Sequence, residues 1–525
     1  MNTFMNELEN SFNYTRTENG AVTHKTTKSK LLDMFAMGGA YRKRSEEDCI
    51  LLFSEAYEEN PVYALKCLFY LRDILKGQGE RRFFRVAMRF LASQQPVVAA
   101  RNLPYIPQFG RWDDLYVLVG TTLEPQMFSF MKHQLALDMQ SKTPSLLAKW
   151  LKSENTSSAD SRRLAKKTRE AFGMTARQYR KTLSILRSRI NVLEKLMSEN
   201  RWDEIEFDKI PSRAGMIYKN AFAKHDIERM RVRKDIQSYA DFAKDETKTV
   251  NAKALYPYEC VKEAIKVMNG GLNSFYYTNP RVPLDDTQRL MANKYWDNLT
   301  DYFNNATFNG IAVVDTSGSM TGHWHQVGPA PIDVAISLGM YCAERNSGPF
   351  ANKYISFASK PQLIDVRGVD FCDKVQRIYQ TNLCDNTNIE AVFTLLFRTI
   401  RQKGVKREDI PKNIIIISDM EFDSATRQFG YGYNKGYDWD SWNTNNAETL
   451  LESIAREWAM YGYELPHLIF WNVDARQNNI PMIGNGRISY VSGFSPSIFE
   501  QIMSGKTGYD LMMEKLNSER YSMIK

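Results

Sequence analysis

Residues 311–320 read IAVVDTSGSM: four apolar residues run into Asp315, and two serines spaced by two follow with a glycine between them. A continuous apolar run ended by a turn signal predicts a buried strand, so Asp315 stands where that strand runs out. Ser317 and Ser319 follow in a tight turn, and their alternate positions aim their hydroxyls and the Asp315 carboxylate at one point. A second run, IIIISD, puts Asp419 at the end of another strand. Two carboxylates and a few hydroxyls are hard oxygen ligands, and they suit Mg2+, which takes octahedral oxygens and retains waters.

Catalytic patterns fit these residues less well. A haloacid-dehalogenase phosphatase also begins with Asp at a strand end, but it needs a second Asp two residues later, where this chain has Ser317. The string SGKT at 504–507 ends like a P-loop, yet Glu500 occupies the position that requires glycine, and FSPSIFEQIM before it reads as helix. No G-x-S-x-G or H-E-x-x-H occurs. His323 and His325, in GHWHQ, read as loop histidines near the mouth of the site. Residues 429–443, FGYGYNKGYDWDSWN, have the tyrosines, tryptophans and glycines of an exposed recognition loop.

A different chemistry is concentrated in residues 162–189, which hold ten Lys+Arg and one acid, Glu170. At about 100° per residue, Arg177, Arg180, Lys181 and Arg187 share an arc of roughly 120°, with Tyr179, Leu183, Leu186, Ile190 and Leu193 opposite. Exposed helices usually mix charge signs to gain i,i+4 pairs, and this one does not. With Arg162, Arg163, Lys166 and Lys167 just upstream, the segment is expected to bind phosphate, with nucleic acid as its source.

The elements that must position these residues differ along the chain. The 525 residues, 43% hydrophobic and 12% aromatic, exclude a disordered chain and predict at least two domains. The net charge of +8 is uneven: residues 301–525 carry 21 Lys+Arg against 25 Asp+Glu, and the remainder 48 against 36. A basic front half and a mildly acidic rear half imply modules with different partners. Apolar spacings of three and four predict helices over 46–58, 61–75, from RRFFRVAMRFLA onward, through one long run at 161–199, and over MIYKNAFAKHDIERMRVR. Many such helices with short connections predict an all-helical, HEAT-repeat-like module over 1–300. Over 306–525, FNGIAVVD, KYISFAS, KNIIIISD, PHLIFWNVD and ISYVSGFS alternate with helical stretches and predict a doubly wound parallel α/β domain. The absence of an 18-residue apolar run and of a signal-peptide pattern predicts a cytoplasmic protein that meets no membrane. The six scattered cysteines are expected as reduced thiols.

Two resemblances extend this reading. DTSGS, between its strand and the helix that follows, resembles the D-x-S-x-S metal-ion-dependent adhesion site of von Willebrand factor A domains. That family adds a threonine from a second loop and an aspartate from a third, which Thr387 in CDNTNIE and Asp419 in ISDMEFD match. The stretches YLRDILKGQGERRFF, SLLAKWLKSENTSS, YRKTLSILRSRINVLEKLMSENRWDEIEFDKIPSRAG, ISDMEFD and LPHLIFWNVDAR resemble a bacterial, phage and eukaryotic family described only as a domain of unknown function. That family is similar in turn to the Ro ribonucleoprotein (TROVE) architecture, in which a ring of helical repeats is closed by a von Willebrand A domain. The resemblance implies a non-catalytic protein that binds structured RNA on its helical module and a protein partner at Mg2+ held by Asp315, Ser317, Ser319, Thr387 and Asp419. The open metal position would be filled by a partner's carboxylate or by the chain itself. The alternative is an adaptor, or a phage or virion assembly component, that meets no nucleic acid; an Mg2+-dependent hydrolase is a third reading.

Overall fold

Two units of different construction divide the chain: residues 46–300 with 516–525, and residues 1–45 with 301–515. The boundary expected at about residue 300 is crossed at both ends, where residues 1–45 group with 301–515 and residues 516–525 with 46–300. The computed structural model describes residues 9, 12–190, 192–268, 286–304, 306–321, 328–357, 360–381, 387–423, 449–482 and 487–525. His323, His325, Cys384 and the segment 429–443 lie outside them. None of the described helices is long and apolar enough to cross a membrane, and the five described cysteines are buried and form no disulfide.

The first unit is helical. Helix Glu46–Glu59 is followed by Pro61–Arg72, whose start is set by the Asn60 side chain accepting from the Tyr63 N–H and by Pro61 in the first turn. Helices Arg82–Gln94, Glu124–Gln140 and Ser212–Val232 also match the apolar periodicity. The long run expected at 161–199 is three helices instead: Ala159–Phe172, Ala176–Arg189 and Leu193–Ser198. Gly173 stops the first in the left-handed conformation, φ 71°, and a Thr175–Gln178 capping box starts the second. Apolar period alone does not register such a break, because both helices bury the same kind of face.

The last ten residues complete this core. Phe69 meets Phe84 and Phe109 edge-on, and Tyr521 stacks on Phe109 at 5.6 Å. The fully buried Asp73 accepts from the Tyr521 hydroxyl at 3.0 Å and pairs with Arg520, whose Nη2 lies 2.6 Å from Oδ1. Asn102 and the Lys525 backbone exchange two hydrogen bonds.

The second unit is built on a six-stranded sheet. Residues 14–24 form a hairpin of β1 (Tyr14–Arg16) and β2 (Val22–His24). The sheet contains β3 (Gly310–Asp315), β4 (Lys353–Phe357), β5 (Gln362–Asp365), β6 (Asn413–Ser418), β7 (His467–Asn472) and β8 (Ile488–Ser492). Their order is β5-β4-β3-β6-β7-β8, parallel throughout except for the antiparallel edge pair β4–β5. The five expected strands are present; β5 and the hairpin were not foreseen, since runs of three or four residues carry little periodicity. Helix Pro331–Arg345 packs on β3, β4 and β6, and helix Lys30–Met37 from the N-terminal segment packs on β8. After β3 the chain winds outward through β4 and β5, then returns to β6 on the other flank of β3. The switch point therefore falls between β3 and β6, whose carboxyl ends face the crevice where such sheets collect ligands.

Arg520→Ala would leave the buried Asp73 charge with only the Tyr521 hydroxyl and backbone donors. Breaking a buried pair on one side costs about 3–5 kcal/mol, so the helical unit of this variant is expected to melt in a separate, earlier transition by differential scanning calorimetry. An unchanged melting profile would refute this account of the C-terminal segment.

Candidate metal centre

Asp315 with Ser317 and Ser319 stands at the end of β3, and Ser418 with Asp419 stands at the end of β6, on the two sides of the switch point. Asp315, the last residue of β3, is fully buried. Its Oδ1 accepts from the Ser317 N–H at 2.9 Å, which bends the chain into the turn. Thr316 ties that turn to β4, its N–H and Oγ1 both donating to the Phe357 carbonyl. Ser317 Oγ and Ser319 Oγ are 3.0 Å apart. On the neighbouring strand, Ser418 closes β6 and donates from Oγ to Asp315 Oδ2 at 2.5 Å. Asp419 follows, buried, with the Glu421 N–H on its Oδ1 at 3.2 Å. Met420 between them takes a left-handed φ of 67°, a conformation that costs a residue with a side chain on the order of 1 kcal/mol. Thr387 is buried just before helix Ile389–Lys403, whose start Asn388 caps, and its carbonyl accepts from the Asp423 N–H.

Several residues that sequence reasoning missed close this site. The turn of the N-terminal hairpin lies against it: Thr17 Oγ1 donates to the Phe422 carbonyl at 2.6 Å, and the Glu18 N–H donates to Glu421 Oε2 at 2.7 Å. Asn19 Nδ2 donates to the Glu421 carbonyl at 2.6 Å and to Thr387 Oγ1 at 3.3 Å. Arg476 spans two acids, with Nη2 2.8 Å from Asp419 Oδ2 and Nη1 2.8 Å from Glu18 Oε2. Asn479 donates to Glu421 Oε1. Ser418 and Glu421 were visible as neighbours of Asp419 in ISDMEFD. Glu18 and Asn19 sit some four hundred residues earlier in the chain, and no local pattern announces them.

The electrostatics favour a cation. Burial, and after it the charge of Asp419, pushes the Asp315 carboxyl up, against hydrogen bonds from Ser418 and Ser317. Glu421 is pushed up to about 7, by burial first, and burial also raises Asp474, which pairs with Lys43. No group of three or more His, Cys, Asp or Glu side chains suited to a metal occurs among the described residues. The donor set here is two carboxylates with hydroxyls, which excludes a zinc-type thiolate or imidazole site and fits a hard cation. The two serine hydroxyls, 3.0 Å apart, are hydrogen-bonded to one another.

The cationic residues divide into two groups. Lys166, Arg177, Arg180 and Lys181 are exposed and make no side-chain hydrogen bond or ion pair with a described residue. Arg162 donates to the Thr156 and Ser157 carbonyls, Arg163 pairs with Asp160, and Lys167 pairs with Glu124. Arg187, expected on the open arc, turns inward. Its Nε and Nη2 donate to the Ala148 and Leu151 carbonyls, both at 2.9 Å, and its Nη1 to Ser153 Oγ at 3.0 Å. A short helix, Leu147–Trp150, ends here with carbonyls unmet by its own backbone, and the guanidinium supplies their donors. Arg180, Arg187, Lys149 and Lys195 line a cleft of about 520 Å³.

Two family comparisons cover the chain. The family described as Domain of unknown function (DUF2828) matches residues 17–169 and 133–307. The family described as Domain of unknown function (DUF7788) matches residues 309–522. An uncharacterized protein of Acanthamoeba polyphaga mimivirus is 28% identical over 533 residues, covering 94% of this chain and 85% of that protein.

Asp315→Asn keeps an acceptor for the Ser317 N–H and an N–H for Ser418 Oγ, but removes the buried charge. An acid whose folded pKa lies above its unfolded value lowers stability once the pH rises through that range, and regains it as the pH falls. In chelator-treated protein the variant is therefore expected to melt several degrees above wild type at pH 8, with the difference shrinking toward pH 5. A variant that melts lower at every pH would show that the carboxylate is held by compensated bonds.

Proposed function

The chain belongs to the family described as Domain of unknown function (DUF2828), and we propose that it is a non-catalytic binding protein with two separate surfaces. In this reading the α/β unit is a von Willebrand A-like domain that holds Mg2+ or a similar cation on Asp315, Ser317, Ser319, Thr387 and Asp419. The helical unit is a TROVE-like, HEAT-type module that binds structured RNA, and the protein works in the cytoplasm. The observation that carries the proposal is the convergence of Asp315 and Asp419 across the switch point, beside two serine oxygens 3.0 Å apart. A cation bound there offers a Lewis-acidic position to the carboxylate of a protein partner. Asp315 and Asp419 accept from Ser317, Ser418, Glu421 and Arg476, which fixes their oxygens as ligands in place of freeing one as a base. The Glu18–Asn19 turn covers this face, so a partner's acidic side chain meets the hairpin first.

RNA binding rests on Lys166, Arg177, Arg180 and Lys181, whose charges are unspent. Arg162, Arg163 and Lys167 contribute a second rank, and Arg187 supports the fold beneath them. The engagement of those four by the protein itself favours a second reading, an adaptor without nucleic acid whose basic helix faces an acidic protein.

Asp315→Ala is expected to abolish Mn2+ binding in isothermal titration calorimetry while leaving the circular dichroism spectrum intact. Wild type that takes up no Mn2+ would remove the metal reading. For RNA, the triple change Arg177→Gln, Arg180→Gln and Lys181→Gln is expected to weaken binding across sequences, since phosphate contacts position without specifying. The slope of log K against log salt should flatten by up to about 2.1, at about 0.7 for each phosphate on single strands. Arg187→Gln should instead lower the melting temperature. Filter binding of a structured RNA at several salt concentrations reads the affinity and the slope, and thermal melting reads the Arg187 variant; a wild type that binds none at low salt leaves the adaptor.

A further inference from the structure

A second concentration of arginine lies in the helical unit, built around Asp113 and Asp114. Asp114 is fully buried, and Arg72, also buried, approaches its Oδ2 with Nε at 2.8 Å and Nη2 at 2.7 Å. Arg85 places Nε 2.7 Å from Asp114 Oδ1 and Nη2 3.0 Å from Asp113 Oδ2. The Arg111 backbone N–H also donates to Asp114 Oδ2, at 2.9 Å. Gly110 lets the chain come this close: a Cβ there would fall 2.4 Å from Asp114 Oδ2 and 2.9 Å from Arg72 Nε. Two arginines thus pair with two aspartates, and Asp113 Oδ1 stays buried without a hydrogen-bond partner among the described residues.

Two further guanidiniums remain. Arg81 and Arg111 are both partly buried, and neither side chain makes a hydrogen bond or ion pair with a described residue. Arg81 lies one helical turn before Arg85, and Arg111 lies over the face of Trp150, 4.6 Å from its centroid. Lys152 adds a third positive charge, 3.9 Å from Asp113 Oδ2. Folding ordinarily leaves unpaired arginines in water, because a half-buried charge with no counterion costs free energy. The cost is visible here even against the attraction of Asp113: Arg111 is pushed down to about 10, by burial and then by the charge of Arg81, and Arg81 is lowered by burial and then by Arg85. Stacking on Trp150 leaves the in-plane N–H groups of Arg111 free to donate.

We propose that Arg81 and Arg111 form an anion site for a phosphate group, with Trp150 fixing the plane of Arg111 and the Arg72–Asp114–Arg85 network fixing the backbone beneath. Paired guanidiniums match the fork geometry of phosphate oxygens. The site does not depend on the cationic face of residues 159–189, and its ligand is either a free phosphate compound or the backbone of an RNA.

The test uses the full chain, melted in chloride and in inorganic phosphate at matched ionic strength. Wild type is expected to gain about 2–5 °C at a tenfold excess of phosphate over its Kd. The double change Arg81→Gln and Arg111→Gln is expected to be at least as stable as wild type in chloride, because it removes a repulsion, and to show no phosphate response. Arg111→Lys, which keeps the charge without the fork, should retain a reduced response, so the result does not hang on one variant. Arg177→Gln with Arg180→Gln should keep the full response. Binding of a structured RNA separates the sources: the double variant loses RNA affinity if the phosphate belongs to RNA, and keeps it if the ligand is a free phosphate compound. A wild type that responds to phosphate no more than to chloride, or a response that survives in the double variant, would overturn the proposal.

Discussion

Two carboxylates buried at the ends of neighbouring parallel strands repel one another in a medium that screens them poorly. Asp315 and Asp419 are in that position, and much of the α/β unit around them supplies compensation. The turn after β3 is bent so that its own N–H reaches Asp315. Ser418 gives up its hydroxyl to the other oxygen. Arg476 is brought from beyond β7 to Asp419, and Glu18 is brought from the N-terminal hairpin to Arg476. These contacts come from segments hundreds of residues apart, which is why residues 1–45 belong with the sheet and not with the helices that follow them in sequence.

The hairpin is the least expected part of this arrangement. Its strands are three residues each, and an isolated two-stranded ribbon of that size has little stability of its own. What holds it is contact with the loops it covers: Thr17 on Phe422, Glu18 on Glu421, Asn19 on Thr387 and Glu421, and bridges from Gly20 to Asp423 and from His24 to Ile480. These contacts bury Thr17, Ala21, Thr23 and His24, so the hairpin is stabilised by the loops it covers.

The helical unit meets the same constraint with different results. Asp73 is compensated fully, by Arg520 and Tyr521 from the C-terminal segment. Asp113 and Asp114 pair with Arg72 and Arg85, and Lys152, Arg81 and Arg111 raise the positive charge around them above the negative. That excess is what the proposed anion site rests on.

Local chemistry determined the elements and part of the site. Continuous apolar runs fixed the five long strands, because strands covered on both faces have no polar alternation to hide them. The Asp-x-Ser-x-Ser spacing and the strand-end Asp419 marked the candidate residues, because their geometry is set within a few residues by the turn that follows each strand. Asp419's neighbours and the basic character of residues 162–189 were legible for the same reason. Tertiary structure alone decided the rest. Arg187 has the sequence signature of an exposed cation, yet the Ala148 and Leu151 carbonyls draw it inward. The run 161–199 has one apolar period and three helices, since the break depends on a left-handed glycine and a cap. The ends of the chain each join a unit other than their neighbours in sequence, because a buried charge takes its partner from wherever the fold brings one within hydrogen-bonding distance, and sequence separation does not enter that energy.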